Sequence, residues 1–340
     1  MNRTSSTALA LIFCALSLAA SPGGAAAPAP KPLYRDPIYD GAADASIVFD
    51  RGQRRWVMFY TNRRATLRLP NPADVAWVHG THIGMATSKD GLRWTYAGVA
   101  DIPPPCTGST LWAPELYFER GTYHMWLTVV PTIDHRWSGN NKASIIHLTS
   151  PDLKRWSCSD TVASGSERII DASVMRLGKG RYRLWYKDER AGSRIFALDS
   201  TDLVNWKKVL PDPVTNTSSE GPKVFRFKGW YWLIADAWKG LIVLRSKDGT
   251  KWTEQPTRIL EEPGLDPTDT AKGQHPDVLV NDGHAFIYYF VHQGDESEAR
   301  RDPYWHQRTV IQVARLKYAN GWLGVDRNET VRMPLKAPLQ

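Results

Sequence analysis

The chain has no long hydrophobic run, no cysteine framework and no block of like charge. Its main apolar stretch, 8-ALALIFCALSLAA-20, falls short of the ~18 residues that a membrane helix needs. Arg3 lies ahead of it and the small residues of 22-PGGAAAPAP-30 lie behind it. That order reads as a cleavable secretory signal over residues 1–26, and the remainder as an exported protein, secreted or periplasmic. Three cysteines in 340 residues are too few for a disulfide scaffold, and no Cys/His spacing suits a structural zinc. Cys14 would leave with the signal, so Cys106 and Cys158 remain, either paired or as free thiols. The net charge is +8, yet basic residues are scattered among acidic ones. Without a basic stripe, nucleic acid is excluded as a partner, while an anionic glycan or envelope surface stays open. No membrane association is expected, and a monomer and a homodimer are equally compatible with the composition.

What the chain does have is tryptophan, 15 residues of it, with proline and glycine throughout. That is the composition of many short strands and turns. Asp-Ala-Ser opens both 44-DASIVF-49 and 171-DASVMR-176, and three further strand starts fall in phase, 115-ELYFER-120, 220-EGPKVF-225 and 275-HPDVLV-280. Each precedes a turn and an aromatic strand: 56-WVMFYT-61, 123-YHMWLT-128, 181-RYRLWY-186, 230-WYWLIA-235 and 284-HAFIYYF-290. A third strand follows in every copy. In four copies it runs into a turn and Trp94, Trp156, Trp206 or Trp252. One such unit every ~50 residues is the signature of a propeller blade. The expectation is an all-β, five-bladed β-propeller filling residues 27–340 as a single catalytic domain, with the recurring tryptophans packed between blades. The fifth unit lacks the Ser-x-Asp turn, and whether the N-terminal segment completes its blade is left open.

In a propeller the first strand of each blade lines the axis, so the strand starts converge. Their leading residues in this phasing are Asp44, Glu115, Asp171, Glu220 and His275. Burying unpaired charge is costly, so four carboxylates and a histidine around one axis point to a site, a metal cage or both. Cleaving a glycosidic bond needs this equipment: an acid for the leaving oxygen, a base for water, and a third carboxylate to tune the acid. The loops beside these strands carry groups suited to sugars, namely Asn62, Arg63, Arg64, His79, His82, Trp112, His135, Arg136, Trp137 and Trp238. Aromatic faces stack on sugar faces, and Arg or His bonds hydroxyls. Trp112 and Asn62-Arg63-Arg64 are the strongest of these candidates.

The stretches 41-GAADASIVF-49, 112-WAPEL-116, 169-IIDASV-174 and 220-EGPKVF-225 resemble, in order, the five-bladed propeller glycosidases of families 43 and 117. The resemblance covers roughly residues 34–327. It implies an inverting enzyme with Asp44 as general base, Glu220 as general acid and Asp171 tuning its pKa. Glu115, Trp238 and His275 join the substrate-binding set. It implies no organic cofactor, and it leaves room for a structural Ca²⁺ or Mg²⁺ at the axis beside His275. The closer likeness is to family 117, the exo-acting α-1,3-L-neoagarooligosaccharide hydrolases, through 56-WVMFYTNRRA-65, 77-WVHGTHIGMA-86 and 230-WYWLIADAWKG-240. That family places a His implicated as the acid before the Glu-Gly-Pro run, whereas here the position is Ser219. It also has Asp-Pro-Ser in blade one where this chain has Asp-Ala-Ser. The expected activity is removal of terminal sugars, of 3,6-anhydro-L-galactose or α-L-arabinofuranose type, from plant or algal oligosaccharides. The alternatives are a non-catalytic secreted glycan-binding propeller and a phosphorylase acting on manno-oligosaccharides.

Overall fold

Short, largely apolar runs such as residues 56–62 and 123–130 are separated by tight turns, and each forms a strand buried on both faces. The computed structural model describes residues 27–138, 140–293, 301 and 304–338; the signal segment expected at 1–26 lies outside them. Five four-stranded antiparallel sheets follow one another along the chain. Blade one comprises β1 (Ala42–Asp50), β2 (Arg55–Asn62), β3 (Ile83–Ser88) and β4 (Thr95–Val99). Blade two has β5 (Thr110–Glu119), β6 (Thr122–Val130), β7 (Ser144–Ser150) and β8 (Ser157–Thr161). Blade three has β9 (Ile169–Gly178), β10 (Arg181–Asp188), β11 (Arg194–Ser200) and β12 (Lys207–Lys208). Blade four has β13 (Glu220–Phe227), β14 (Trp230–Asp236), β15 (Leu241–Ser246) and β16 (Thr253–Glu254). Blade five has β17 (Gln274–Asn281), β18 (His284–His292), β19 (Thr309–Ala319) and β20 (Trp322–Val325). The fold is the five-bladed propeller that the repeats imply.

A four-stranded sheet cannot bury both faces alone, so each blade packs on the one before it. Trp156 meets Phe59, Trp206 meets Trp126 and Trp252 meets Trp185, all edge to face. Trp94 joins the apolar core shared by blades five and one. Trp322 supplies the missing fifth copy by packing on Trp232. The Ser-x-Asp repeat is local turn chemistry. Ser88 Oγ accepts the N–H groups of Asp90 and Gly91, while Asp90 Oδ1 accepts those of Leu92 and Arg93. Blade five is completed by its own strands. The N-terminal segment only bridges onto it, at Tyr34–Ile311 and Gly41–Thr309. Cys106 and Cys158 are disulfide-bonded, which ties the linker after blade one to the outer strand of blade two.

All five inner strands break their ladder near the axis. At each break one residue takes a left-handed conformation: Asp44 (φ 49°), Ala113 (φ 43°), Asp171 (φ 58°), Gly221 (φ 52°) and His275 (φ 34°). A non-glycine residue held there costs of order 1 kcal/mol or more. Gly221 is the exception in kind, because a Cβ would come within 2.7 Å of the His275 ring. These five residues, not those of the sequence phasing, are the true equivalents. The next two positions complete the triplets Asp-Ala-Ser, Ala-Pro-Glu, Asp-Ala-Ser, Gly-Pro-Lys and His-Pro-Asp. The phasing of Glu115 with Asp44 was therefore two residues off, and that of Glu220 one residue off.

Candidate active site

The triplets build two stacked rings. The upper ring holds Asp44, Ala113, Asp171, Gly221 and His275. The lower ring holds Ser46, Glu115, Ser173, Lys223 and Asp277. In the lower ring each blade's third residue binds the backbone of the next blade. Ser46 Oγ accepts Leu116 N–H (3.0 Å), Glu115 Oε1 accepts Val174 N–H (3.0 Å), Ser173 Oγ accepts Val224 N–H (3.0 Å), and Asp277 Oδ2 accepts Ile47 N–H (2.9 Å). Lys223, which cannot accept, instead donates to Glu115 (2.7 Å) and Asp277 (2.8 Å). Glu115 thus spends both oxygens on the framework and does not line the main cavity, which corrects its expected role in substrate binding.

Above the rings opens a cavity of about 510 Å³, lined by Asp44, Arg63, Trp112, Asp171, Glu220 and His275 and walled further by Trp77, Trp137, Trp238, Lys187 and His292. That size falls within the ~300–1,000 Å³ of small-molecule sites. His275 lies between the carboxylates. Its Nδ1 is 3.1 Å from Asp44, and its Nε2 is 3.2 Å from Glu220 and 3.9 Å from Asp171. Burial disfavours its charge, but the three carboxylates overcome this and hold His275 as a cation, its pKa well above the usual histidine value. Burial would raise Asp44 too. The charges of His275 and Arg63 win, and Asp44 stays ionised with a pKa of about 2. Asp171 differs, because burial raises it to about 6 and the nearby charges of Glu220 and Asp44 reinforce the effect.

Glu220 is held below the usual carboxylate range, against its burial, by a hydrogen bond from His275 and by the Lys187 ammonium. Lys187 Nζ is 2.7 Å from Glu220 and 2.6 Å from Glu189. Trp238 Nε1 donates to the other Glu220 oxygen (2.8 Å). Trp238 itself sits at φ 58°, pinned by its N–H on the buried Asp236 (2.7 Å). Arg168 and Trp137 Nε1 both bond Glu189. Every cation facing the cavity is thus matched by a carboxylate among the described residues.

Of the remaining candidates, Arg63 approaches Asp44 (3.6 Å) and lies over the Phe290 ring. Trp112 forms the wall with Trp137 at 5.1 Å. Asn62 and Arg64 belong to the scaffold: Asn62 donates to Asp36, and Arg64 binds the carbonyls of His79 and Ala76. His79 is buried behind Trp112, and His82, His135 and Arg136 stand outside the cavity lining. Ser219 is buried away from it, its N–H on Ser193 O. Lys187, Glu189, Trp77 and His292 escaped the sequence reading. Lys187 and Glu189 sit where β10 ends in a charged run, 187-KDER-190, which looked like ordinary turn surface.

Residues 39–263, blades one to four, match the family model of a probable glycosyl hydrolase domain related to glycoside hydrolase family 43. The chain belongs to that family. Its fold is shared by a thermostable family-43 glycoside hydrolase, at 17% identity over 90% of this chain and 99% of the other, with a TM-score of 0.63. It is shared also by a xylan β-1,4-xylosidase from Bacillus halodurans C-125, at 18% identity and a TM-score of 0.61. There the match spans 90% of this chain and 60% of the xylosidase. An α-L-arabinanase variant from Cellvibrio cellulosa matches at 17% identity over 84% and 95%, with a TM-score of 0.57. At such identities these likenesses carry the fold alone. No curated protein gives a significant match. The enzyme is a glycoside hydrolase by its family. Blade five, which supplies His275, lies beyond the matched residues.

Proposed function

We propose that this hydrolase inverts configuration and acts from chain ends, removing a neutral terminal sugar of 3,6-anhydro-L-galactose or α-L-arabinofuranose type from plant or algal oligosaccharides. The observation that carries this reading is the His275 ring, with Asp44 on one nitrogen and Glu220 on the other. Carboxylates on opposite sides of an imidazole stand roughly 7–8 Å apart, within the ~6.5–9.5 Å that leaves room for the attacking water of an inverting enzyme. Asp44, ionised, takes the proton of that water. Glu220, whose side chain is 19% exposed against 4% for Asp171, faces the leaving oxygen and protonates it.

The proton's resting place refines the expectation that Asp171 keeps Glu220 protonated. Before sugar binds, and below the pKa of about 6, the proton resides on Asp171, because Lys187 and His275 hold Glu220 ionised. The two carboxylates titrate as a pair. His275 passes its Nε2 proton to Glu220, 3.2 Å away, and takes the Asp171 proton in its place on the same nitrogen, 3.9 Å from Asp171. The walls of Trp77, Trp112, Trp137 and Trp238 suit the apolar faces of a sugar. Because the facing cations are already paired, a neutral sugar fits better than a uronate or sulfate, and hydrolysis fits better than phosphorolysis. We place the enzyme outside the cytoplasm, where the Cys106–Cys158 bond would persist.

The test is incubation of the mature protein with neoagaro-oligosaccharides and with α-L-arabinofuranosides, followed by proton NMR. Release of anhydrogalactose or arabinose, first seen as the inverted anomer, is the expected result. Retention of configuration would overturn the mechanism. Binding without turnover on both substrates would favour the glycan-binding alternative.

A further inference from the structure

We propose that Lys223 is a tethered counter-ion that takes the place of an axial metal, making this propeller independent of divalent cations. The lower ring brings two buried carboxylates, Glu115 and Asp277, onto the axis. Two such groups with nothing between them would repel each other, and both are buried. This is the situation in which a protein recruits Ca²⁺ or Mg²⁺. Here the Lys223 ammonium bonds both, at 2.7 and 2.8 Å. Its charge is secured against burial by Asp277 and Glu115, which push its pKa upward.

The donor set around the axis does not suit a metal. Calcium takes about 6–8 oxygen ligands. The lower ring offers two carboxylates already bonded to an ammonium, and the hydroxyls of Ser46 and Ser173, each accepting an N–H. The space between the rings is about 30 Å³, room for roughly two waters at the ~10–15 Å³ that each needs and not for an ion with a full water shell. Beside the upper ring the ligand atoms of Asp171, Glu220 and His275 gather within 4.8 Å. A cation there would meet Lys187, 2.7 Å from Glu220, and would have to displace the proton that His275 carries between its carboxylate neighbours. The two places where an axial ion would be held thus already contain, or directly adjoin, a lysine. A covalently attached cation cannot be diluted or chelated away, whereas the stabilisation from a bound ion vanishes with its concentration.

The test compares the mature wild-type protein with Lys223→Ala by thermal melting, each after chelation with EDTA and then with Ca²⁺ or Mg²⁺ added back. The wild type is expected to melt at the same temperature in all conditions. Lys223→Ala is expected to melt roughly 5–10 °C lower, because two buried carboxylates lose their partner. Added Ca²⁺ should restore part of that loss in the variant alone. A wild-type melting temperature that falls on chelation, or rises with either ion, overturns the proposal. So does a variant that folds without loss, or one that is destabilised but indifferent to Ca²⁺, since Lys223 would then fill no ion's place. Should Lys223→Ala fail to fold, the wild-type comparison decides.

Discussion

The two rings at the axis come from the same five strands, two residues apart, and they treat charge in opposite ways. The lower ring is closed. Glu115, Asp277 and Lys223 satisfy one another, and all but one of its side chains clamp the backbone of the neighbouring blade. The upper ring is unbalanced. Asp44, and Glu220 next to the ring's Gly221, are driven to the ionised form and Asp171 toward the protonated form, all against one imidazolium. Strained backbone marks the upper ring and not the lower. The lesson is that burial alone does not identify a working charge. What does is burial that leaves a proton shared.

The comparison breaks most sharply at the ends of the proposed proton path. Asp44→Asn and Glu220→Gln should each lower kcat by roughly 10²–10⁴-fold, with melting temperature and circular dichroism little changed. Steady-state rates beside melting curves check this, and turnover at the wild-type level in either variant would remove that residue from the mechanism.

Glu115→Ala should do the reverse. It strips Lys223 of one partner and leaves Val174 N–H unpaired, at a cost of about 3–5 kcal/mol. The rate per folded molecule at low temperature should stay within about twofold of wild type, on the reading that only framework is lost. Denaturant unfolding and active-site-normalised rates separate the two effects.

Asp171→Asn joins the two behaviours in one residue. The folded-state pKa of about 6 lies above the ordinary value of 3.8. The folded chain therefore binds this proton more tightly than the unfolded chain does, so the stability it confers is full below pH ~4 and fades as pH rises to ~6. Asparagine mimics the protonated form. The variant should lose activity yet melt higher than wild type at pH 7–8, by the equivalent of about 3 kcal/mol, with the gain vanishing near pH 4. A gain that persists at pH 4 would show that Asp171 is not the group responsible.

The propeller was legible because its signal is a repeat: hairpin turns, aromatic strands and a recurring tryptophan need only be counted. Asp44, Asp171, Glu220 and His275 were legible because ionisable residues at the starts of core strands are conspicuous. The two rings were not, because the charged residues drew the phasing to Glu115 and Glu220. The small middle residue of each triplet, Ala45, Pro114, Ala172, Pro222 and Pro276, was the better guide. It marks the kink that every blade shares, and it would have put Ala113 and Gly221 in phase despite their lack of charge. Arg64 and Asn62 were misplaced for a different reason. Side chains that bond carbonyls or buried carboxylates within their own loop look, in sequence, like side chains that bond sugars.

Lys187 offers the finest adjustment to the contrast between the rings. Among the described residues it is the one cation that touches Glu220 without touching Asp44, so it biases the shared proton toward Asp171. Activity should fall as pH rises through the apparent pKa of the pair, near 6, because the proton for the leaving group is then lost to solvent. Lys187→Met removes a positive charge that holds Glu220 ionised, so the pair should keep its proton to higher pH. The alkaline limb of kcat/KM should therefore move up by about one pH unit, as a charge within ~4–6 Å can shift a carboxylate by that much. A lysine that merely packed under Trp238 would change KM and leave the limb where it was. An unmoved limb would therefore separate the proton's position from Lys187 and return the tuning of Glu220 to His275 alone.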